Sequence, residues 1–283
     1  MIEVPRLTLG TAQLGPAYGI ANREGRLDDT SASALLSAAW DAGMRWFDTA
    51  RAYGESEARI GAWCRASGQR PVVITKIAAG SPVAEEIDRS AAALGQDPNT
   101  VLAHRSSDLA QAAFHDGLRR AVDGGRIRAF GASVYTPEEA FTALEIEDIS
   151  VFQLPFNILD RRMLESGLLA AAAARGVLIL ARSIYLQGVL LMDPDTLPGH
   201  LSELRDPLLA LRELATDMRT LALAAALHEP GIASCIIGVE TPAQIGQHAS
   251  LPSVDAATIA AAIRIGEGLP EDLIDPSRWP RGQ

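Results

Sequence analysis

The run Trp46-Phe47-Asp48-Thr49, followed by Val72-Val73-Ile74-Thr75-Lys76 and Val101-Leu102-Ala103-His104, decides how this chain is read. Each stretch is short and mostly apolar, the pattern of a strand buried on both faces. Each also ends on or beside a side chain that can carry charge or a proton. Helical patterns separate them, so they read as successive parallel strands whose C-terminal ends share one rim of a sheet. Asp48, the nearby Tyr53, Lys76 and His104 then converge: an acid, a phenol, an amine and an imidazole.

The alternation runs the length of the chain. Strands are expected over 7–10, 46–49, 72–76, 101–104, 129–133, 151–154, 177–181 and 234–238. Helices with apolar faces are expected over 31–42, 57–66, 84–94, 109–123, 137–144, 163–174, 208–227 and 242–249. Thr136-Pro137 and Thr241-Pro242 place a capping hydroxyl before a proline at the first helical position. Gly43, Gly125 and Gly176 follow helix ends, where a left-handed residue is wanted. Eight strands alternating with eight helices, with no linker-like stretch, favour a single α/β domain, a (β/α)8 barrel over 1–283. A doubly wound dinucleotide fold would need a Gly-rich turn after its first strand, and Leu9-Gly10-Thr11-Ala12-Gln13-Leu14-Gly15 lacks that spacing. The stretch 184–205 is expected to loop over the barrel mouth. A helix over 255–265 and a tail through Trp279 lie outside the repeat.

Composition narrows the function. The 283 residues are 48% hydrophobic, enough for a large core without disulfides. A formal charge of −10 argues against nucleic-acid and anionic-membrane partners. With two cysteines, no signal-peptide pattern and no membrane-length apolar run, a cytoplasmic protein is expected. Cys235, within an apolar run, reads as a buried core thiol. No metal-ligand cluster is evident.

Singly, Asp48 reads as a turn or helix cap, Tyr53 as packing and His104 as a structural histidine. Lys76 at the end of an apolar strand is odder, because buried lysine needs a partner. Together they make a proton-transfer site. A tyrosine ordinarily titrates near pH 10; a neighbouring ammonium is expected to lower that value, and a carboxylate keeps the ammonium charged despite burial. Tyr53 would then act as general acid/base, with His104 free to hydrogen-bond a substrate oxygen. A purely structural ion-pair network is the alternative.

The run Phe47-Asp48-Thr49-Ala50, then Tyr53-Gly54-Glu55-Ser56-Glu57, Ile74-Thr75-Lys76 and Leu102-Ala103-His104-Arg105, resembles the aldo-keto reductase superfamily. The likeness continues, in order, through Gly131-Ala132-Ser133, Val151-Phe152-Gln153-Leu154-Pro155-Phe156-Asn157, Gln187-Gly188-Val189-Leu190 and Ile237-Gly238-Val239-Glu240-Thr241-Pro242-Ala243-Gln244. The segment from Leu9 to Asn22 is also similar to a bacterial branch often associated with sugar metabolism. The resemblance implies reduction of a small-molecule aldehyde or ketone by NADPH without a metal. Tyr53 would protonate the carbonyl oxygen, Lys76 and Asp48 would tune it, and His104 would orient the carbonyl. It also implies that Ser133 and Gln153 hold the nicotinamide carboxamide. Gly188 and Leu190, then Gly238, Gln244 and Gln247, would meet the cofactor phosphates.

Three positions depart from the family pattern. Val134 stands where many relatives carry Asn. Arg182 stands where an aromatic commonly stacks on the nicotinamide; a guanidinium can stack too, but it adds charge beside a ring that becomes cationic on oxidation. Glu240 stands where a basic residue often holds the 2′-phosphate. A carboxylate there would repel that phosphate and accept hydrogen bonds from an unphosphorylated ribose, so NAD stays open beside NADP.

Tyr18, Asn22, Tyr185 and His200 could reach the mouth, and Trp279 could close it. With aromatics at 5% of the chain, a small polar aldehyde, a sugar among the candidates, is the expected substrate. Three other readings stay open. One is a sugar or alcohol dehydrogenase running the reverse reaction, another a non-catalytic nicotinamide-binding regulator. The third, a barrel hydrolase or lyase, would need activity without nicotinamide.

Overall fold

Eight strands close into one parallel barrel in sequence order. The computed structural model describes residues 4–15, 19–20, 25–215, 217–249 and 253–280; Tyr18 and Asn22 lie outside them. The strands are β1 (Leu7–Gly10), β2 (Trp46–Asp48), β3 (Val72–Ile77), β4 (Thr100–Ala103), β5 (Ala129–Ser133), β6 (Val151–Pro155), β7 (Leu178–Arg182) and β8 (Ser234–Gly238). Closure comes from β1 pairing with β8, Leu7 opposite Cys235 through Gly10 opposite Gly238.

The helices are α1 (Asp29–Asp41), α2 (Ser56–Ser67), α3 (Val83–Leu94), α4 (Ala112–Asp123), α5 (Pro137–Leu144), α6 (Arg162–Glu165), α7 (Leu168–Ala174), α8 (Arg205–Leu214), α9 (Met218–His228), α10 (Pro242–Ala249), α11 (Ala256–Gly266) and α12 (Glu271–Ile274). Local chemistry starts them where the sequence indicates. The Asp28 carboxylate accepts from Ser31 N at 2.7 Å ahead of α1. Thr136 Oγ1 accepts from Glu139 N at 3.2 Å ahead of α5, while Glu139 reaches back to Tyr135 N at 2.8 Å.

The two-residue period of a strand sorts the core into two layers. Phe47, Val73, Val101, Phe130, Phe152, Ile179 and Ile237 face the helices in the main cluster. Trp46, Ile74, Leu102, Val151, Leu180 and Ile236 form a separate buried cluster that fills the barrel interior. The next inward positions, two residues on, are Asp48, Lys76, His104, Gln153, Arg182 and Gly238. A plugged barrel therefore carries its chemistry in the layer immediately above the plug.

Three expected helices are divided. The helix expected over 208–227 is α8 and α9, because Ala215 is extended and the Asp217 side chain caps a new start by accepting from Arg219 N at 3.0 Å. The one over 163–174 is α6 and α7, split at Gly167, whose φ of 81° is left-handed. The one over 109–123 begins as a 3-10 turn, Ser106–Ala110, before α4. The stretch 184–205 is folded rather than irregular, with 3-10 turns at Leu186–Leu191, Pro194–Thr196 and Gly199–Leu204. Among the described residues no helix is long and apolar enough to cross a membrane.

Gly131 marks how closely β5 and β6 approach, since a Cβ there would lie 1.8 Å from the Val151 carbonyl oxygen. Backbone in a ladder cannot yield without losing its pairing. Gly131→Ala should destabilise the chain by about 2 kcal/mol or more, read as a lower urea midpoint with an unchanged slope.

Candidate active site

Lys76 and Asp48 form an ion pair inside the rim. The Lys76 side chain is 1% exposed and that of Asp48 5%. Lys76 Nζ donates to Asp48 Oδ1 at 2.7 Å, to Oδ2 at 2.8 Å and to the Thr49 carbonyl at 3.0 Å, so all three ammonium protons are used. Gln153 Nε2 donates to Asp48 Oδ1 at 2.7 Å from β6. A charge this deep is tolerable only when paired and hydrogen-bonded.

Tyr53 is held in the turn after β2. Its backbone N–H donates to the Ala50 carbonyl at 3.0 Å, and its carbonyl accepts from Ser56 N at 3.1 Å. Buried Ser56 Oγ accepts from Thr49 Oγ1 at 3.0 Å and donates to the Thr11 carbonyl at 2.9 Å, fixing the turn against β1. The buried Glu57 carboxylate accepts from Thr75 Oγ1 at 2.7 Å, Ser90 Oγ at 2.9 Å and Arg51 at 2.6 Å. That cluster ties the turn to β3 and α3. Lys76 Nζ lies 4.9 Å from the Tyr53 ring centroid, and the His104 ring meets Tyr53 edge-on at 6.1 Å.

Electrostatics corrects one expectation. Tyr53 is raised above the ordinary phenol value rather than lowered, first by burial and then by the Asp48 carboxylate, with Arg182 opposing them. Lys76 cannot dominate because Asp48 already matches its charge. His104 is pushed down to about 4, mainly by burial and then by Lys76. At neutral pH both rings are therefore uncharged: a phenol with a proton to give and an imidazole with one N–H and one lone pair.

A cavity of about 510 Å³ opens over this rim, within the usual range for a ligand site. Asp48, Tyr53, Gln153, Arg182, Gly188, Gly238, Glu240 and Gln244 line it. Lys76 and His104 are not part of that lining: Lys76 is buried against Asp48, and half-buried His104 sits edge-on to the Tyr53 ring. Ser133 is buried at the end of β5, Leu190 is fully buried and Gln247 is exposed on α10; none of the three lines the cavity. The backbone amides of Gly188 and Leu190 donate to the Tyr185 carbonyl at 2.8 and 3.3 Å. Gln244 Oε1 accepts from Glu240 N at 2.7 Å, closing the turn into α10. Tyr185 lines the wall, whereas His200 and Trp279 pack on each other at 6.0 Å away from it.

Sequence reasoning missed Gln13 and Arg219. Gln13 lies in the turn after β1, its side chain over Gly238 and its Oε1 buried without a partner. That orphaned acceptor in the wall, with the amides of Gln153 and Gln187, suits a long polar ligand such as a dinucleotide.

The order of the strand-end residues and the closed parallel barrel agree with one known group of proteins. The sequence model of the Aldo/keto reductase family matches residues 6–257. The chain belongs to that family. It is 29% identical to an aldo-keto reductase of Bacillus subtilis, the match covering 58% of this chain and 54% of that one. The chain thus spans about half the length of that relative. It is 23% identical to a D-threo-aldose 1-dehydrogenase of a Pseudomonas species, over 99% of this chain and 96% of the relative. An aldo/keto reductase of Klebsiella pneumoniae, solved with NADP and acetate, superposes with a TM-score of 0.73 at 21% identity, covering 93% and 91% of the two chains. At that identity the likeness carries the fold.

The ion pair makes a direct prediction. Lys76→Met leaves the Asp48 carboxylate buried without its cation and should cost about 3–5 kcal/mol. Adding Asp48→Asn removes the stranded charge and should recover part of that loss. Urea unfolding of the two variants checks it; equal stabilities would mean the pair is not coupled.

Proposed function

We propose that this aldo/keto reductase family member is a cytoplasmic enzyme that reduces a small, polar aldehyde or ketone to the alcohol. A nicotinamide coenzyme would serve as reductant, with NADPH favoured, and Tyr53 as general acid. The observation that carries this reading is a protonated phenol at the cavity wall, backed by a buried Lys76–Asp48 pair and edged by a neutral imidazole. A non-catalytic binding module has no use for that arrangement.

A bound coenzyme supplies the hydride to the carbonyl carbon. The chain's own residues handle the oxygen. His104, neutral above about pH 4, donates a ring N–H to the carbonyl oxygen and orients it without competing for its proton. As the carbon–oxygen double bond opens, the oxygen becomes a stronger base than a phenolate, and the Tyr53 hydroxyl gives up its proton. The tyrosinate left behind is stabilised by Arg182, while the Lys76 ammonium, 4.9 Å from the ring centroid, is largely matched by Asp48. Gln153 and the Thr49 carbonyl keep the ion pair in register. Gln13, Gln153, Gly188, Gly238, Glu240 and Gln244 would hold the coenzyme along the wall. Glu240 in that lining favours a second coenzyme assignment, NAD with an unphosphorylated ribose, which would suit sugar oxidation as in the aldose dehydrogenase relative.

Tyr53→Phe should lower kcat by roughly a hundredfold or more while leaving coenzyme affinity near wild type. Steady-state reduction of a panel of sugar and simple aldehydes, with coenzyme titration by tryptophan fluorescence, reads both; wild-type turnover by the variant sinks the mechanism. The same titration with NADPH and NADH ranks the two coenzymes. Glu240→Arg should move the preference toward NADPH, and an unchanged ratio would mean Glu240 does not face the ribose.

A further inference from the structure

The charges around the acid/base pair do not cancel. Those acting on Tyr53 and His104 come from Asp48, Lys76, Arg182 and Arg105. Asp48 and Lys76 neutralise each other, and of the two arginines only Arg182 lines the cavity. It leaves the C-terminal end of β7 half-buried, its guanidinium carbon 4.3 Å from the Tyr135 ring centroid. Its polar contacts are long: 3.4 Å to Ser183 Oγ and 3.3 Å to the Val134 carbonyl. No carboxylate lies within ion-pair distance of it among the described residues, whereas Arg51, Arg59, Arg126 and Arg162 each pair with one.

A guanidinium stacked by one face keeps its edge available, a planar pair of N–H donors matched to a carboxylate. Asp193, Arg219 and Glu240 line the same cavity but are not among the groups acting on Tyr53 or His104; beside the acid/base pair, an unmatched cation partly withdrawn from water attracts an anion. The ligand that must reach Tyr53 is the carbonyl compound, so the anion that reaches Arg182 along the same wall can be carried by it. One positive charge with a forked donor suits a carboxylate better than a phosphate dianion.

We propose that Arg182 binds a carboxylate carried by the substrate, making the substrate an aldehyde acid or oxo acid. The proposal rests on the reductase reading above and narrows its substrate class.

Two aldehyde pairs test it: 4-carboxybenzaldehyde against 4-methylbenzaldehyde, and glyoxylate against glycolaldehyde. The wild-type chain should favour the carboxylated member by about tenfold or more in kcat/KM, the scale of one charge-assisted bidentate contact. That ratio should fall toward unity in Arg182→Gln and return in part in Arg182→Lys. A ratio near unity in the wild type, or one that Arg182→Gln leaves in place, overturns the proposal. So does a higher kcat/KM for glyceraldehyde 3-phosphate than for either carboxylated aldehyde. If Arg182→Gln weakens NADPH binding about tenfold and spares the aldehyde ratio, the guanidinium serves the coenzyme phosphates and the proposal also falls. Calorimetry with benzoate and benzamide reads the anion site without turnover. Benzoate should bind more tightly, and only while Arg182 is present. Failure to reduce any carbonyl would then count against the reductase reading, while equal binding of benzoate and benzamide would count against the anion site.

Discussion

Everything at the rim depends on the ion pair between Lys76 and Asp48. Two opposite charges almost wholly removed from water are individually untenable; each exists because the other does, with the Thr49 carbonyl and Gln153 Nε2 completing their hydrogen bonds. The pair also fixes distance. Thr49 N donates to the Ile74 carbonyl at 2.8 Å and Arg51 N to the Lys76 carbonyl at 3.0 Å, so the β2–β3 pairing continues into the turn that presents Tyr53. A phenol mounted on so tight a junction has little room to drift from the cation beneath its ring.

Much of this was legible in the sequence, for a reason rooted in strand geometry. In a plugged barrel the inward side chains recur every second residue, so Trp46, Ile74, Leu102 and Val151 in one layer put Asp48, Lys76, His104 and Gln153 in the next. Knowing where an apolar strand ends is enough to place its chemistry. The direction of the Tyr53 shift was not legible in the same way. It turns on how completely Asp48 cancels Lys76 and how much water the phenol loses, and both are properties of the packed site rather than of residue order.

The overlooked wall residue Arg219 and the overlooked break in one long helix share a cause. Read as a continuous helix over 208–227, position 219 has no reason to face the barrel mouth. The side-chain cap from Asp217 starts α9 afresh and sets Arg219 in its first turn, beside the cavity and 5.9 Å from the Tyr185 ring. Asp and Thr favour such restarts, but the same residues are tolerated within helices, and only the surrounding packing chooses. Gln13 escaped notice differently: its role comes from lying over Gly238, a neighbour across the closing seam of the barrel and far away in sequence.

The segment after β7 shows how the mouth obtains a fixed wall. Ser183, Leu186 and Gln187 adopt positive φ values of 61°, 48° and 53°, a conformation costing about 1–3 kcal/mol at each non-glycine residue. Leu186, Val189 and Leu190 are fully buried beside them, and each such side chain contributes about 1.5–3 kcal/mol when withdrawn from water. Burial of the same order as the strain holds the turn in one shape, so the wall is set before any ligand arrives. In that shape the Gly188 and Leu190 amides already serve the Tyr185 carbonyl. An anion entering along this wall therefore meets side chains first, and of the two arginines that line it, Arg182 is the one whose charge acts on Tyr53.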